Sequence, residues 1–217
     1  MTELLVSEAV ALVRKNLDEV GLNESLMYSD ENSDNESLDL TIKRTLPEAI
    51  NEVHSFVPVE TLEGVEVSTL SSCEITDRVL SFSFENPFLR LVAFQAKDSG
   101  IVVTEVIPET SVEAHKQLNK YVRGTFDKPR LVQIQGEHKQ PAFRYYTLSK
   151  DEYATEPSSA IKRLTIVEEL FYEPERESYP ISTDLRQTII DQLTGLVLAI
   201  YKDGDKAQYF LQRAKLN

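Results

Sequence analysis

Apolar side chains recur along this chain in three regimes, helical at both ends and alternating between them. Val6, Val10, Val13, Leu17 and Val20 fall at spacings of four and three, the signature of one face of an amphipathic helix over about Leu5–Val20. Thr2 or Ser7 is placed to cap it, and Gly21 to stop it where a left-handed backbone is often needed. Leu38, Ile42, Leu46, Ala49, Val53 and Phe56 make a second stripe, with Pro47 inside it. An interior proline removes a backbone hydrogen bond and clashes with the preceding turn. Thr45-Leu46-Pro47-Glu48 also fits a capping box with proline in the first turn. The stripe is either a kinked helix or one that restarts at Thr45.

From Val57-Pro58-Val59 onward the chain is extended. Gly64–Leu70 is short and alternating. In Val79–Phe84, Leu80, Phe82 and Phe84 face one way and Ser81 and Ser83 the other, a half-buried strand. Glu85-Asn86-Pro87 turns the chain into Phe88–Ala96, apolar on both faces and so expected at the centre of a sheet. Ile101–Val106 is a candidate third strand, and Thr110-Ser111 caps a short helix over Val112–Leu118. Leu131–Gln135 and Ala142–Leu148, joined by Gly136-Glu137-His138-Lys139, read as a hairpin. Ile161–Leu170 is a further strand, and Tyr172–Pro180 an acidic linker.

Helical spacing returns with Leu185, Ile189, Leu193, Leu196 or Val197, and Ile200, started by Ser182 or Thr183. Gly195 inside it costs about 1 kcal/mol relative to alanine and is tolerable where a neighbouring helix packs closely. Asp203-Gly204-Asp205 turns into a last helix over Lys206–Lys215 that carries Tyr209, Phe210 and Leu211. The pattern predicts an α+β fold: an N-terminal helix pair, a central, mostly antiparallel β region over roughly 60–170, and a C-terminal helix pair. Residues 1–57 and 182–217 form the helical part and 58–181 the β part, together one structural unit. No internal repeat of fixed period is visible.

Composition narrows the function classes. Hydrophobic residues are 41% and charged residues 27% of 217, ample for a core. The net charge of −13 and the absence of any long basic run disfavour direct DNA readout. The lone Cys73 cannot make an intrachain disulfide, and its neighbours Glu74 and Asp77 oppose a reactive thiolate. No apolar run reaches the ~20 residues of a membrane span. MTELLVSEAV lacks the basic start of a signal peptide.

Chemistry is sparse. The polar loop Ser29–Ser37 places Asp30, Asn32 and Asp34 at the first, third and fifth positions of an EF-hand-like pattern. That pattern fails at Asn35, where glycine is needed, and at Thr41, where a bidentate glutamate is needed. His54, His115 and His138 share no ligand spacing. No phosphate-binding glycine loop, nucleophile elbow or Cys–His pair is present, and the carboxylates of Glu173–Glu177 read as a solvated linker. The chain is therefore expected to be no enzyme and to hold no cofactor or metal. A long apolar C-terminal helix suits packing against further copies, as in rings built from heterologous contacts. It equally suits completion of the monomer core.

One block carries a resemblance: Phe88–Val92 (FLRLV), Val103-Thr104-Glu105 with Ile107-Pro108, Gln117 to Asn119, Arg123-Gly124-Thr125 and Lys128-Pro129. This succession resembles the middle region of small structural proteins from crAss-like phages of gut Bacteroides, with Ser99-Gly100 departing where relatives often carry an aromatic. The layout is also similar to podovirus head-to-tail adaptors, helical proteins with a β insertion. The resemblance implies a virion protein of the neck, a dodecameric ring assembled in the bacterial cytoplasm. Such a ring docks on the portal, contacts further tail or ring proteins, and passes DNA through its lumen without sequence-specific binding. Its acidic surface would repel DNA and let it slide. It also implies turns at Val103–Pro108 and Arg123–Pro129 that shape a contact surface. Tyr209, Phe210 and Leu211, taken as an exposed cluster near the terminus, are the expected partner interface, reaching a neighbouring ring. The competing reading is a cytoplasmic protein-binding adaptor or regulatory domain, without catalysis, that takes a partner on a sheet edge.

Overall fold

A computed structural model describes residues 2–19, 38–67, 69–85, 87–136, 141–149, 153, 155–201 and 204–216. Gly21, the loop Ser29–Ser37, Asn86, the turn Glu137-His138-Lys139 and Asp203 lie outside the described residues. The elements begin β1 (Thr2–Leu5), α1 (Val6–Glu19), α2 (Leu38–Phe56), β2 (Val65–Glu66), β3 (Leu70–Thr76), β4 (Val79–Phe84) and β5 (Phe88–Ala96). They continue β6 (Val106–Pro108), α3 (Val112–Gln117), β7 (Arg130–Gln135), β8 (Pro141–Tyr146) and β9 (Ile161–Glu168). The chain ends with β10 (Ser178–Ile181), α4 (Arg186–Ile200) and α5 (Gly204–Leu216). The fold is α+β, with helices near both termini. Every strand pairing among the described residues is antiparallel except β6 with β7.

The contacts divide the chain into two compact units, Met1–Glu63 with Glu169–Asn217, and Gly64–Glu168. The first is larger than the helical part expected from sequence, because 58–63 and 169–181 belong to it. The reason is β10, which lies in the segment read as a linker and pairs with β1 across the register Thr2↔Ile181 to Leu5↔Ser178.

In the helical unit α4 is the hub, packed against α1, α2 and α5. Leu185, Ile189, Leu193 and Val197 of its predicted stripe are buried while Ile200 at its end is exposed, and Ile190, Thr194 and Leu198 on its other faces are buried too. A helix covered on several sides must satisfy its polar groups internally. Thr194 accepts from Asn16 Nδ2 of α1 at 3.0 Å and donates to the Ile190 carbonyl at 2.7 Å. Asp191, fully buried, accepts from Gln187 Nε2 at 2.8 Å and from Arg213 Nε at 2.7 Å, with a second Arg213 bond from Nη2. These bonds hold the Arg213 guanidinium firmly charged. α2 runs unbroken through Pro47, and Thr45 donates its hydroxyl to the Thr41 carbonyl at 2.9 Å instead of capping a new helix. Asn51 exchanges bonds with Leu170, 2.8 Å from Nδ2 to the carbonyl and 3.0 Å from the amide to Oδ1.

The β unit packs a three-stranded sheet, ordered β2-β9-β5, and a five-stranded sheet, ordered β3-β4-β8-β7-β6. The alternation read in β4 is borne out: Leu80, Phe82 and Phe84 are buried. Phe82 pairs across the strands with Phe143 and stacks on Phe94 of the other sheet at 5.2 Å between centroids. β5, expected to be central, stands at the edge of its sheet. Leu91, Phe94 and Ala96 are buried in the core between the two sheets, and the strand's open edge is bridged by Val103, which exchanges backbone bonds with Phe94 at 2.8 and 2.9 Å. The expected strand Ile101–Val106 is thus a single bridge at Val103 followed by β6, three residues that pair parallel with β7. The polar sequence of β3, LSSCEIT, carries no strand pattern, as befits a sheet edge.

Two predictions follow from the helical core. His54 is buried and, among the described residues, neither ring nitrogen has a hydrogen-bond partner; burial lowers its pKa from 6.5 to about 4. The folded state then binds the proton less readily than the unfolded chain. Stability is full above pH 6.5 and falls between pH 6.5 and about 4, by about 3 kcal/mol at about 1.4 kcal/mol per unit. Urea titrations across this window should show the loss in the native chain and a flatter profile in His54→Leu. At Gly195 an added Cβ would sit 2.7 Å from Leu211 Cγ and Cδ2 and 3.2 Å from the Ala207 carbonyl, the close helix packing this glycine implied. Gly195→Ala should therefore destabilise by roughly 1 kcal/mol, overpacking outweighing helix propensity. With Leu211→Ala in place the same change should turn neutral or stabilising in a double-mutant cycle.

Candidate interaction surface

The loop that follows α3 is built from the residues that carry the phage resemblance. Ser111 caps α3 by accepting from the Ala114 amide at 3.1 Å, as expected from sequence. At the other end of α3 the buried Gln117 turns inward, donating to the Glu113 carbonyl at 3.1 Å and accepting from the Gly124 amide at 2.6 Å. The Asn119 carbonyl accepts from the Val122 and Arg123 amides at 3.0 and 2.9 Å, and its side chain accepts from the Tyr121 amide at 3.0 Å. Thr125 and Lys128 exchange backbone bonds at 3.2 and 3.0 Å.

Three further ties fasten this loop to the sheet. The Gly124 carbonyl accepts from Thr147 Oγ1 at 2.8 Å. Arg123 donates to the Asp77 carbonyl at 2.8 Å, in the β3–β4 turn where Asp77 and Arg78 hold left-handed φ of 50° and 64°. Gly124 lies so close to β8 that a Cβ would fall 2.8 Å from the Tyr146 carbonyl and 2.9 Å from Arg130 Cγ. Beneath them Ile107, Ala114, Val132 and Tyr146 form a small second core on this face of the five-stranded sheet.

A loop braced in this way still leaves large apolar side chains in solvent. Val112 is 72%, Leu118 68%, Tyr121 85% and Val122 61% exposed. Phe126 is exposed as well. Basic residues interleave with them: Lys116, Lys120, Arg123, Lys128 and Arg130, against Glu113 and Asp127. Lys120 lies over the Tyr121 ring at 5.2 Å. In a chain of net charge −13 this is a local reversal of sign. Contiguous exposed apolar surface of this kind marks interaction sites. The alternation of basic and apolar residues from Lys116 to Arg130 was the signal available in the sequence.

The expected interface at Tyr209, Phe210 and Leu211 is not one exposed cluster. Successive residues on a helix point about 100° apart, so α5 divides them. Tyr209 is 57% exposed, whereas Phe210 is 3% exposed and buried under the Arg213 guanidinium at 4.9 Å. Leu211, half-buried, packs on Gly195. Only Tyr209 of the three is presented outward.

Among the described residues no three His, Cys, Asp or Glu side chains are placed to hold a metal ion. Cys73 sits half-buried on the edge strand β3, and burial, then the charge of Glu74, pushes its thiol up to about 11. Among the described residues no helix is long and apolar enough to cross a membrane. In comparisons with known proteins, no protein-family model and no curated protein matches this chain.

The bracing makes the loop sensitive to one atom. Gly124→Ala forces its backbone away from Tyr146 and is expected to cost about 1–3 kcal/mol. Amide hydrogen exchange should speed up at Val122–Thr125, while the paired amides of β4 and β8 keep their protection.

Proposed function

We propose that this chain is a structural virion protein, the subunit of a head-to-tail connector ring. In this reading twelve copies dock on the portal, join it to the tail and form part of the DNA ejection channel. The observation that carries the proposal is the braced loop. Gln117, Asn119, Arg123, Gly124, Thr125 and Lys128, which carry the resemblance to crAss-like phage proteins, are the residues that hold the exposed Leu118, Tyr121 and Val122 in place. A loop ordered by so many bonds has little conformational entropy left to lose on association. The net charge of −13 supports a channel wall that does not retain phosphates.

A second reading is favoured by one observation. β3, seven residues long, stands at the edge of the five-stranded sheet, and strand addition there is a common mode of peptide capture. A protein-binding adaptor would use that edge as a monomer.

Light scattering on the eluting peak of a size-exclusion column separates the two. The ring reading expects a discrete multiple of 24.7 kDa, with ring-shaped particles by negative stain and co-elution with a portal assembly. A monomer at every concentration that ignores the portal would defeat it.

A further inference from the structure

We propose that the loop Leu118–Phe126 of one copy seats, through Tyr121, in an acidic groove on the β unit of the next copy. The groove lies between β2, β9 and the end of β4. Val65, Val67, Phe84, Pro87 and Ile166 make its apolar lining, and Glu66, Glu85 and Glu168 stand among them. All three glutamates are exposed, and Val65 is too, whereas Phe84 and Ile166 form the buried floor. Its volume is about 180 Å³. Clefts that take small-molecule ligands run to about 300–1,000 Å³, so this one suits a single inserted side chain.

The two surfaces are complementary in sign. Tyr121 is the most exposed large apolar side chain of the loop, which carries five basic residues against two acidic ones between Val112 and Arg130. The groove is concave and has three carboxylates. Tyrosine is the residue type enriched at buried anchors, where its ring is desolvated and its hydroxyl stays near water. Leu118 and Val122 beside it are aliphatic and offer no ring for base stacking, which favours a protein over a nucleic acid as the occupant.

A second copy is the occupant because both halves are present in every chain at different places. The loop stands on the face of the five-stranded sheet covered by α3, whereas the groove lies at the β2 side of the three-stranded sheet. Contact between unlike patches is heterologous and propagates until it closes. This inference rests on the ring reading and supplies its subunit contact.

Paired charge reversal tests it on the full chain. One variant carries Lys120→Glu and Lys128→Glu, the other Glu85→Lys and Glu168→Lys. Each alone is expected to elute as a monomer with an unchanged thermal melt. An equimolar mixture should reassemble, since each reversed loop then meets a reversed groove. Tyr121→Ser, at a solvent-exposed position, should also lose assembly while staying folded. If the native chain assembles and the variants assemble equally well, or the mixture fails to, the loop–groove contact is overturned while the ring reading stands. A native chain that is monomeric throughout overturns both. A monomer that retains double-stranded DNA through Lys120 and Lys128 overturns the contact in favour of a nucleic-acid surface.

Discussion

The β unit depends on one aromatic contact, the stack of Phe94 on Phe82. The two rings lie 5.2 Å apart and 13° from parallel, one from each sheet. Phe143 extends the stack at 5.5 Å from Phe82, and Tyr145 meets Phe94 at 4.8 Å, so β4, β8 and β5 are locked through a single row of rings. Such pairs contribute about 0.5–1.5 kcal/mol each beyond their burial. Their larger consequence is positional. With β8 held by its inner face, Tyr146 and Thr147 beside it offer fixed anchors to Gly124, and the loop above inherits that fixity.

The helical unit solves a different problem. A helix as enclosed as α4 brings polar groups into the core, and each needs a partner because an unmatched buried charge is expensive. Arg213 reaches back from α5 to Asp191, its guanidinium spread over the Phe210 ring. The same contact that neutralises α4 therefore buries Phe210. Among the described residues, the His54 ring nitrogens and Gln192 Oε1 of α4 are enclosed in this unit without a partner, and burial keeps the His54 ring from taking up a proton.

Charge and apolarity are unevenly distributed over the β unit, and that pattern carries the functional reading. A solvated acidic surface keeps a protein soluble and discourages contact with DNA. The basic, apolar loop after α3 runs against that background, and it is ordered by side chains whose hydrogen bonds point inward. An inward-facing Gln117 beside an outward-facing Leu118 is the reverse of what folding alone favours.

Much of this was legible in the residues themselves. Period located α1, α2, α4 and α5 and the alternation of β4, and Ser111 marked the start of α3; Gly195 announced a closely packed neighbour. These are local signals, in which one side chain or one spacing determines the outcome. What the sequence could not decide was long-range pairing. β1 and β10 are short and become strands only because each is the other's distant partner, while the polar β3 is a strand because β4, across the Asp77-Arg78 turn, accepts it as the sheet edge. β5 looks central because its side chains are buried against the other sheet, and its place at the sheet edge is fixed by pairing that leaves no mark in its own residues. The split of Tyr209, Phe210 and Leu211, and the assembly of Gln117, Gly124 and Thr147 into one brace, were settled by tertiary structure alone. Which side chains face solvent depends on what packs behind them, and that information is spread over the whole unit.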